Sequence, residues 1–279
     1  MMIWGKLIGT ILGYLVAKIP GAIVGFILGY FFDEGLKQQS IISNLFSSNE
    51  KRAKIQNTFF KATFSIMGNV AKSDGIITED EVKNVETIMR ELHIDAEARK
   101  QAIAYFNQGK AQGFVLDDML NELRLACKKH KALLQIFIEI QLQAAYLDGV
   151  LADSKRAILI YVSERLGIDR TLFSRLNTMH QAEDKFREYM NQQYQQKFQK
   201  MRNTSTVSEA YKILSLDANA SDADVKKAYR KLMSLHHPDK LIAQGLPEEM
   251  IKLTTEKTQE IKKAYETIME DRNRGKVSG

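Results

Sequence analysis

The near absence of proline limits the fold of this chain more than any other feature of its sequence. No proline occurs between Pro20 and Pro238, so no residue in this stretch interrupts a helix by removing a backbone donor. Apolar residues recur here at spacings of three and four, which is the period of an amphipathic helix. Three such sets are Phe60, Thr63, Phe64, Met67 and Val70; Val82, Val85, Ile88, Met89 and Leu92; and Leu133, Ile136, Phe137, Ile140 and Ala144. The sequence therefore predicts an all-α protein with a helical bundle in its middle.

An apolar segment from Leu7 to Phe32 predicts a transmembrane helix near the start of the chain. A helix of about 26 residues crosses a hydrocarbon core of about 30 Å with some tilt. Lys18 is the one charged residue in the segment, and its cost of roughly 2.5–3.5 kcal/mol is outweighed by the apolar side chains around it. A cleaved signal peptide is the competing interpretation, because Lys6 precedes the segment, but no convincing cleavage site of small residues follows. We expect residues 1–35 to form an uncleaved, single-pass anchor in lipid.

The basic residues beside the anchor predict its orientation. Lys6 lies on the N-terminal side, whereas Lys37, Lys51 and Arg52 lie on the C-terminal side. Lys and Arg are enriched on the cytoplasmic side of membrane segments. The bulk of the chain, which is C-terminal to the anchor, is therefore expected in the cytoplasm.

Small residues recur every four positions through the anchor. They are Gly5, Gly9, Gly13, Ala17, Gly21, Gly25 and Gly29. Small residues let two helices approach closely in lipid, so we expect a homodimer. The repeat drifts by about 40° per step around a helix, so only half of it can face a straight partner. Lys18 would place a charge near the contact if the first half were used. Gly21, Gly25 and Gly29 are therefore the expected contact, and the alternative is that the glycines reflect only the composition of membrane helices.

The distribution of charge argues against nucleic-acid binding. The formal net charge is +6, but residues 205–279 carry 13 Lys and Arg against 12 Asp and Glu. No aromatic interleaving and no nucleic-acid motif accompany the short basic runs. We therefore expect these runs to be solvated helix faces and expect no nucleic-acid partner.

Three parts follow the anchor. Residues 50–185 are expected to form the helical domain, residues 186–207 a linker, and residues 208–279 a C-terminal domain. Within the linker, residues 186–201 keep a helical spacing of apolar residues and are expected to form a solvent-bridging helix, followed by a short polar segment at 203–207. The helical domain contains an internal repeat, because the segment 71–77 is matched by the segment 145–151, each with an Asp-Gly pair at a helix end. Two related halves are therefore expected in the bundle.

The stretch from Glu209 to Met269 predicts two antiparallel helices. Ser221 is placed to cap the first of them, and Pro238 ends it because the residue before a proline avoids helical angles. Its apolar face is Val225, Ala228, Tyr229, Leu232 and Leu235. A second long helix is expected from Glu248 to Glu270.

The first of these helices also carries a basic face, followed by a polar tripeptide. Lys226, Lys227, Arg230 and Lys231 recur at i, i+1, i+4 and i+5, which gives a positive surface suited to an acidic partner. The tripeptide His237-Pro238-Asp239 is then expected in an exposed loop between the two helices.

These motifs, taken in order, resemble the J-domain family. They are Tyr211-Lys212-Ile213-Leu214, Lys227-Ala228-Tyr229-Arg230-Lys231-Leu232, His237-Pro238-Asp239 with Lys240, and Ile261-Lys262-Lys263-Ala264-Tyr265-Glu266. The resemblance implies that His237, Pro238 and Asp239 contact the nucleotide-binding domain of a DnaK-type chaperone, while the basic face docks electrostatically. Two positions depart from the family, because His236 stands where an aromatic residue is usual and Ser215 replaces a common glycine.

The order of anchor, helical domain and terminal J-domain resembles that of the DjlA proteins of bacterial inner membranes. This resemblance implies a membrane-anchored co-chaperone of the inner membrane that recruits a DnaK-type chaperone and stimulates its ATPase activity. The alternative is that the helical domain is the main functional unit, as a metal- or partner-binding sensor of envelope stress.

The helical domain itself is similar to the TerB family of tellurite-resistance proteins through its two Asp-Gly pairs. Acidic residues of that family are suspected of binding metal, which would place a divalent metal at Asp74 and Asp148. The alternative is turn formation, because Gly75 and Gly149 can supply left-handed helix ends.

No residue pattern predicts an enzyme. His236, His237 and Asp239 are close in sequence, but adjacent residues on a turn rarely face each other, and no nucleophile accompanies them. The only cysteine, Cys127, lies among leucine and alanine residues and is expected to be a buried core residue. No phosphate-binding glycine loop occurs, so ATP is expected to bind to the partner. Apart from the metal considered for the helical domain, no cofactor is expected.

Overall fold

The structure is a computed structural model that describes residues 49–73, 85–90, 94–146, 149–195 and 204–277. The predicted anchor, with Gly21, Gly25 and Gly29, lies outside these residues. Within the described ranges, no helix is both long and apolar enough to cross a membrane.

The described residues are helical almost throughout. The helices are α1 (residues 49–71), α2 (residues 85–90), α3 (Ala96–Lys110), α4 (Leu116–Ala126), α5 (Lys131–Ala145), α6 (Asp153–Arg165), α7 (Arg170–Gln195), α8 (Thr204–Ile213), α9 (Asp222–His236), α10 (Pro238–Gln244) and α11 (Ile251–Val277). A 3-10 turn, Glu248–Met250, precedes α11. The described residues from 54 onward form one compact unit. The prediction of an all-α protein is confirmed.

The larger of two hydrophobic cores is built mainly from α1 and the helices up to the start of α7, and residues of α10 and the 3-10 turn complete it. Phe59 and Phe137 meet edge to face with their ring centroids 5.6 Å apart, and Phe60 packs against Phe64 at 5.0 Å. These arrangements are the ones that aromatic quadrupoles favour. The positions predicted for the apolar face of this first helix are all buried, namely Phe60, Thr63, Phe64, Met67 and Val70.

Two glycines lie where α1 and α3 come into contact. A Cβ added to Gly68 would overlap the carbonyl oxygen of Phe106, and one added to Gly109 would overlap the carbonyl oxygen of Ser65. A clash with a backbone oxygen cannot be relieved by rotating a side chain. The distance between α1 and α3 therefore depends on glycine at both positions.

Replacing Gly109 by alanine is expected to lower the free energy of unfolding by about 2–4 kcal/mol, because the added methyl group forces two backbones apart. The midpoint of urea unfolding, followed by circular dichroism, checks this. Gly113→Ala is the matched control, since nothing lies within 4 Å of a Cβ at that position, and its midpoint should stay the same or rise. Equal midpoints for the two variants would contradict the close contact.

The smaller core holds the C-terminal domain together and begins inside α7. Its buried members are Ala182, Phe186, Ala210, Tyr211, Ile213, Leu214, Val225, Ile261, Ala264 and Ile268. The linker predicted at 186–207 differs from this arrangement, because α7 continues through its first residues and α8 begins at Thr204. The physical reason is Phe186, whose side chain is 2% exposed and packs in the same core as Tyr211.

Candidate functional site

Helix α9 starts at a well-defined cap. The Ser221 hydroxyl accepts a hydrogen bond from the backbone N–H of Asp224 at 3.2 Å, and the Asp224 carboxylate accepts one from the N–H of Ser221 at 3.3 Å. This reciprocal pair is a capping box. The Ser221 hydroxyl also donates to the Asp224 carboxylate at 2.6 Å, which lowers the pKa of Asp224. The predicted cap at Ser221 is confirmed.

Helix α9 separates an apolar side from a basic side. Val225 is fully buried, and the other four predicted apolar residues, Ala228, Tyr229, Leu232 and Leu235, are half-buried. The basic face, defined as Lys226, Lys227, Arg230 and Lys231, is exposed at all four positions. Within the described part of the chain, none of these four cations forms an ion pair. Their charge is therefore available to a partner.

Contacts with α11 fix the rotation of α9 about its own axis. Tyr229 stacks on Tyr265 with ring centroids 4.3 Å apart and an interplanar angle of 20°. Arg272 of α11 donates to the hydroxyl of Tyr211 at 2.8 Å, to the carboxylate of Asp222 at 2.5 Å and to the carbonyl oxygen of Ala220. The basic face cannot turn inward without breaking these contacts.

The two histidines at the end of α9 have opposite environments. His236 is fully buried, whereas His237 is exposed, as is Asp239. Pro238 begins the short helix α10, where its fixed φ and missing N–H suit the first turn. The sequence predicted that the tripeptide stands in a loop. In the structure it lies instead at a junction of two helices, with only His237 between them. Both of its polar side chains are exposed there.

The segment beyond this junction is anchored in the larger core. Leu241, Leu246 and Met250 are each fully buried among residues of the helical domain. The side-chain amide of Gln56 in α1 donates to the carbonyl oxygen of Leu246 at 3.3 Å. The C-terminal domain is thus held on the helical domain immediately after His237-Pro238-Asp239.

A buried charged cluster lies where α5, α7, α9 and α11 meet. The Lys257 ammonium lies 2.6 Å from Oε2 of Glu183 and 3.7 Å from Oε2 of Glu139. Nδ1 of His236 lies 3.6 Å from the same Glu139 oxygen. The side chains of Lys257, Glu183 and Glu139 are only 14%, 4% and 12% exposed. One lysine therefore joins the helical domain to the C-terminal domain through two carboxylates.

Burial and neighbouring charges set the protonation of this cluster. Burial alone would lower the pKa of Lys257, but Glu183 and Glu139 outweigh it and raise that pKa. Burial lowers the pKa of His236, although Glu139 opposes the shift. Burial also lowers the pKa of His180, which packs against the ring of Tyr146, to about 4. Burial raises the pKa of Glu183 to about 7, although Lys257 opposes this shift. At neutral pH the lysine is therefore charged, both imidazoles are neutral, and Glu183 is close to its own pKa.

Sequence reasoning did not find this cluster, although two signals pointed to it. Glu139 is the only acidic residue of the largely apolar helix α5, and an isolated carboxylate on such a helix requires a partner when it is buried. The sequence singled out His236 as a departure from the J-domain pattern and as part of a rejected catalytic group, but not as a buried partner of Glu139. Its burial against Glu139 shows that this position serves a contact within the chain.

The second departure, Ser215, also has a structural setting. Its φ is 57°, which lies in the left-handed region that glycine adopts at no steric cost. The backbone N–H of Leu216 donates to the carbonyl oxygen of Tyr211 at 2.9 Å, so the chain turns sharply here at the end of α8. The glycine common in the family suits this backbone conformation better than serine does.

The remaining sequence-predicted residues lie elsewhere. Asp74 and Asp148 are outside the described residues. Across the ranges that the structure describes, no three His, Cys, Asp or Glu side chains are grouped to hold a metal ion. Gly149 has a φ of 75°, which lies in the left-handed region. However, α5 already ends at Ala145 with an extended C-cap at Tyr146, so Gly149 belongs to the turn before α6 and does not end the helix. Cys127 is fully buried, as expected, and burial raises its pKa to about 12.

Three protein families match successive parts of the chain. Residues 1–39 match the co-chaperone DjlA transmembrane domain, residues 60–178 match the tellurite resistance protein TerB, and residues 209–277 match the DnaJ domain. The DnaJ match contains α9, the basic face and the exposed tripeptide. No solved structure matches the chain.

Relatives match the chain over nearly its whole length. The chain is 42% identical over 271 residues to the co-chaperone protein DjlA of Coxiella burnetii, which covers 96% of this chain and 98% of that protein. It is 39% identical over 281 residues to the co-chaperone protein DjlA of Legionella pneumophila, covering 96% and 95%. It is 37% identical over 279 residues to that of Pasteurella multocida, covering 95% and 96%. These matches confirm the resemblances predicted from the sequence.

Proposed function

We propose, because the chain belongs to the DjlA family of co-chaperones, that it recruits a DnaK-type chaperone through its J-domain and stimulates the ATPase activity of that chaperone. We place it in the bacterial inner membrane as a single-pass protein with its C-terminal bulk in the cytoplasm. The match of residues 1–39 to the family's transmembrane domain and the excess of Lys and Arg after that segment support this location and orientation.

The observation that carries the proposal is the exposure of His237 and Asp239 at the end of the basic face. Neighbouring side chains differ sharply, because His236 and Leu241 are fully buried. A histidine and an aspartate that serve no contact in the larger core are placed to contact another protein. The four exposed cations of α9 supply the attraction that brings an acidic partner to these two residues.

Binding is proposed to proceed from long-range attraction to close contact. The cations of the basic face raise the rate of encounter with an acidic surface, and salt weakens this attraction by screening. Pro238 restricts the backbone between α9 and α10, and α10 is anchored by Leu241 in the larger core. The backbone that carries His237 and Asp239 is therefore already ordered, so binding a partner costs little further conformational entropy there. ATP hydrolysis itself takes place in the active site of the chaperone.

Reversing charge at Lys227 and Arg230 tests this proposal. The double variant Lys227→Glu with Arg230→Glu is expected to weaken association with the chaperone by about tenfold or more, and to flatten its dependence on salt, because exposed docking charges act through screened attraction. Association and chaperone ATP turnover are measured with the full chain in lipid nanodiscs at low and high salt. The matched control reverses Lys128 and Lys129, which are exposed in the turn after α4.

The possible results distinguish failure of the proposed function from failure of the basic face as the docking surface. A wild-type chain that leaves chaperone ATP turnover unchanged at saturating concentration would contradict the proposed function. A double variant that keeps the wild-type salt dependence, or a control that loses it equally, would show that docking does not use the basic face.

A further inference from the structure

A groove of about 1060 Å³ runs beside the basic face, between α7 of the TerB-like domain and α8 and α9 of the J-domain. Its lining is rich in aliphatic side chains. Leu172, Leu176 and Met179 come from α7, and Leu232 and Leu235 come from α9. The groove is thus formed jointly by the two domains, with an apolar floor.

The rim of this groove is basic. Five cations line it, namely Arg170, Arg175, Lys212, Lys227 and Lys231, and its only described carboxylates are Asp217 and Asp224. Arg170 is paired with Glu164 at 2.5 Å and Lys212 with Glu209 at 2.9 Å. Arg175, by contrast, is exposed and forms no ion pair with any residue that the structure describes. The uncompensated charge is therefore contributed by both domains.

The groove is continuous with the basic face. Lys227 and Lys231 belong to both, so a protein docked on the basic face also meets the groove. Arg175 then extends the positive surface from α9 across to α7. A partner with acidic residues spaced along a segment would contact the J-domain and the TerB-like domain together.

We propose that this groove is a second contact for the chaperone, and that it takes an acidic segment of the chaperone that also carries apolar side chains. The inference rests on the proposed function. Charge complementarity with the rim favours carboxylates, and the aliphatic floor favours apolar side chains between them. The TerB-like domain is thereby part of the chaperone-binding surface and sets the orientation in which the chaperone is held.

Two other occupants fit the groove less well. No aromatic side chain is among the described residues that line it, whereas single-stranded nucleic acid is bound by stacking on aromatic rings. A second copy of this chain is itself basic, with a formal net charge of +6, so it offers poor charge complementarity.

Charge reversal at Arg175 tests the inference without removing an ion pair. In the full chain, Arg175→Glu is expected to raise the concentration that gives half-maximal chaperone stimulation by roughly three- to tenfold. The maximal stimulation should be unchanged, because His237, Pro238 and Asp239 are intact. Lys185→Glu is the matched control, since Lys185 is exposed on the same helix and does not line the groove. Its half-maximal concentration should stay within about twofold of the wild type.

A site-specific cross-link identifies the occupant. Ser174 is exposed and lines the groove, and Ser174→Cys labelled with a benzophenone maleimide places a photoreactive group there. Labelling is selective because the native Cys127 is fully buried and its pKa is raised to about 12. Cross-linking to a chaperone segment with acidic and apolar residues is the expected result. Cross-linking only to a second copy, to lipid or to nucleic acid would overturn the inference.

Failure of the inference can be distinguished from failure of the proposed function. If the wild-type chain stimulates the chaperone but Arg175→Glu matches Lys185→Glu and no chaperone cross-link forms, the groove is not a chaperone contact and the function stands. If the wild-type chain gives no stimulation at any concentration, the proposed function fails, and the inference fails with it.

Discussion

His237→Gln is expected to reduce stimulation of the chaperone ATPase to the basal rate of the chaperone alone. The imidazole of His237 is exposed at the junction of α9 and α10, so its proposed role is contact with the chaperone. Because the side chain lies outside both cores, the free energy of unfolding should change by less than about 0.5 kcal/mol. Single-turnover ATP hydrolysis measures the stimulation, and urea unfolding measures the stability.

His236→Gln is the informative comparison, because it makes the same chemical change one residue earlier. His236 is fully buried and lies 3.6 Å from Glu139, so its replacement should lower stability while the folded fraction still stimulates the chaperone. A folded His237→Gln chain that stimulates the chaperone as well as the wild type would refute the assigned role of the tripeptide. Loss of stimulation in the His236 variant alone would refute it as well.

The second large effect is expected at Lys257. Lys257→Met removes the only ammonium group that the structure places between Glu183 and Glu139, and it leaves two buried carboxylates without their cation. Breaking a buried pair by removing one partner costs about 3–5 kcal/mol. The loss should appear as a lower free energy of opening for the amides of α11, because this helix carries Lys257, and native-state hydrogen exchange measures that quantity.

Two further variants make this prediction specific. Lys262→Met is the control on the same helix, since its pair with Glu266 is 62% and 53% exposed, and it should cost less than about 1 kcal/mol. Adding Glu183→Met to Lys257→Met should recover much of the loss, because apolar residues of similar volume can replace a buried pair at little cost. If the free energy of opening for the amides of α11 were the same in the double variant as in Lys257→Met, the loss would not arise from an unpaired carboxylate at Glu183.

Two separate contacts connect the TerB-like domain to the J-domain near His237-Pro238-Asp239. Leu241, Leu246 and Met250 lie in the larger core just beyond the tripeptide, and Lys257 joins α11 to Glu183 and Glu139. The proposed groove uses the same arrangement of α7 beside α9. If the groove binds the chaperone, Lys257→Met should therefore also raise the half-maximal concentration for stimulation. The substitution weakens the contacts that keep α7 beside α9, and these two helices form the walls of the groove.

Sequence alone identified the features of this protein that arise locally. The apolar face of α1, the cap at Ser221 and the end of α9 before Pro238 each depend on residues within one or two helical turns. The J-domain motifs were recognisable for the same reason, since their spacing reflects the helices that carry them. These local signals gave the helical class, the basic face and the exposed tripeptide, although they did not show that α10 begins at Pro238.

Only the tertiary structure decided the features that depend on distant residues. Lys257 and Glu183 are 74 residues apart in the chain yet form an ion pair, and Gly68 and Gly109 matter only because two backbones meet there. The predicted boundary at residue 186 fell inside α7 for the same reason, because Phe186 is buried by residues that follow it much later in the chain. Hydrophobic periodicity indicates which face of a helix is buried, but it carries no information about which other helix covers that face.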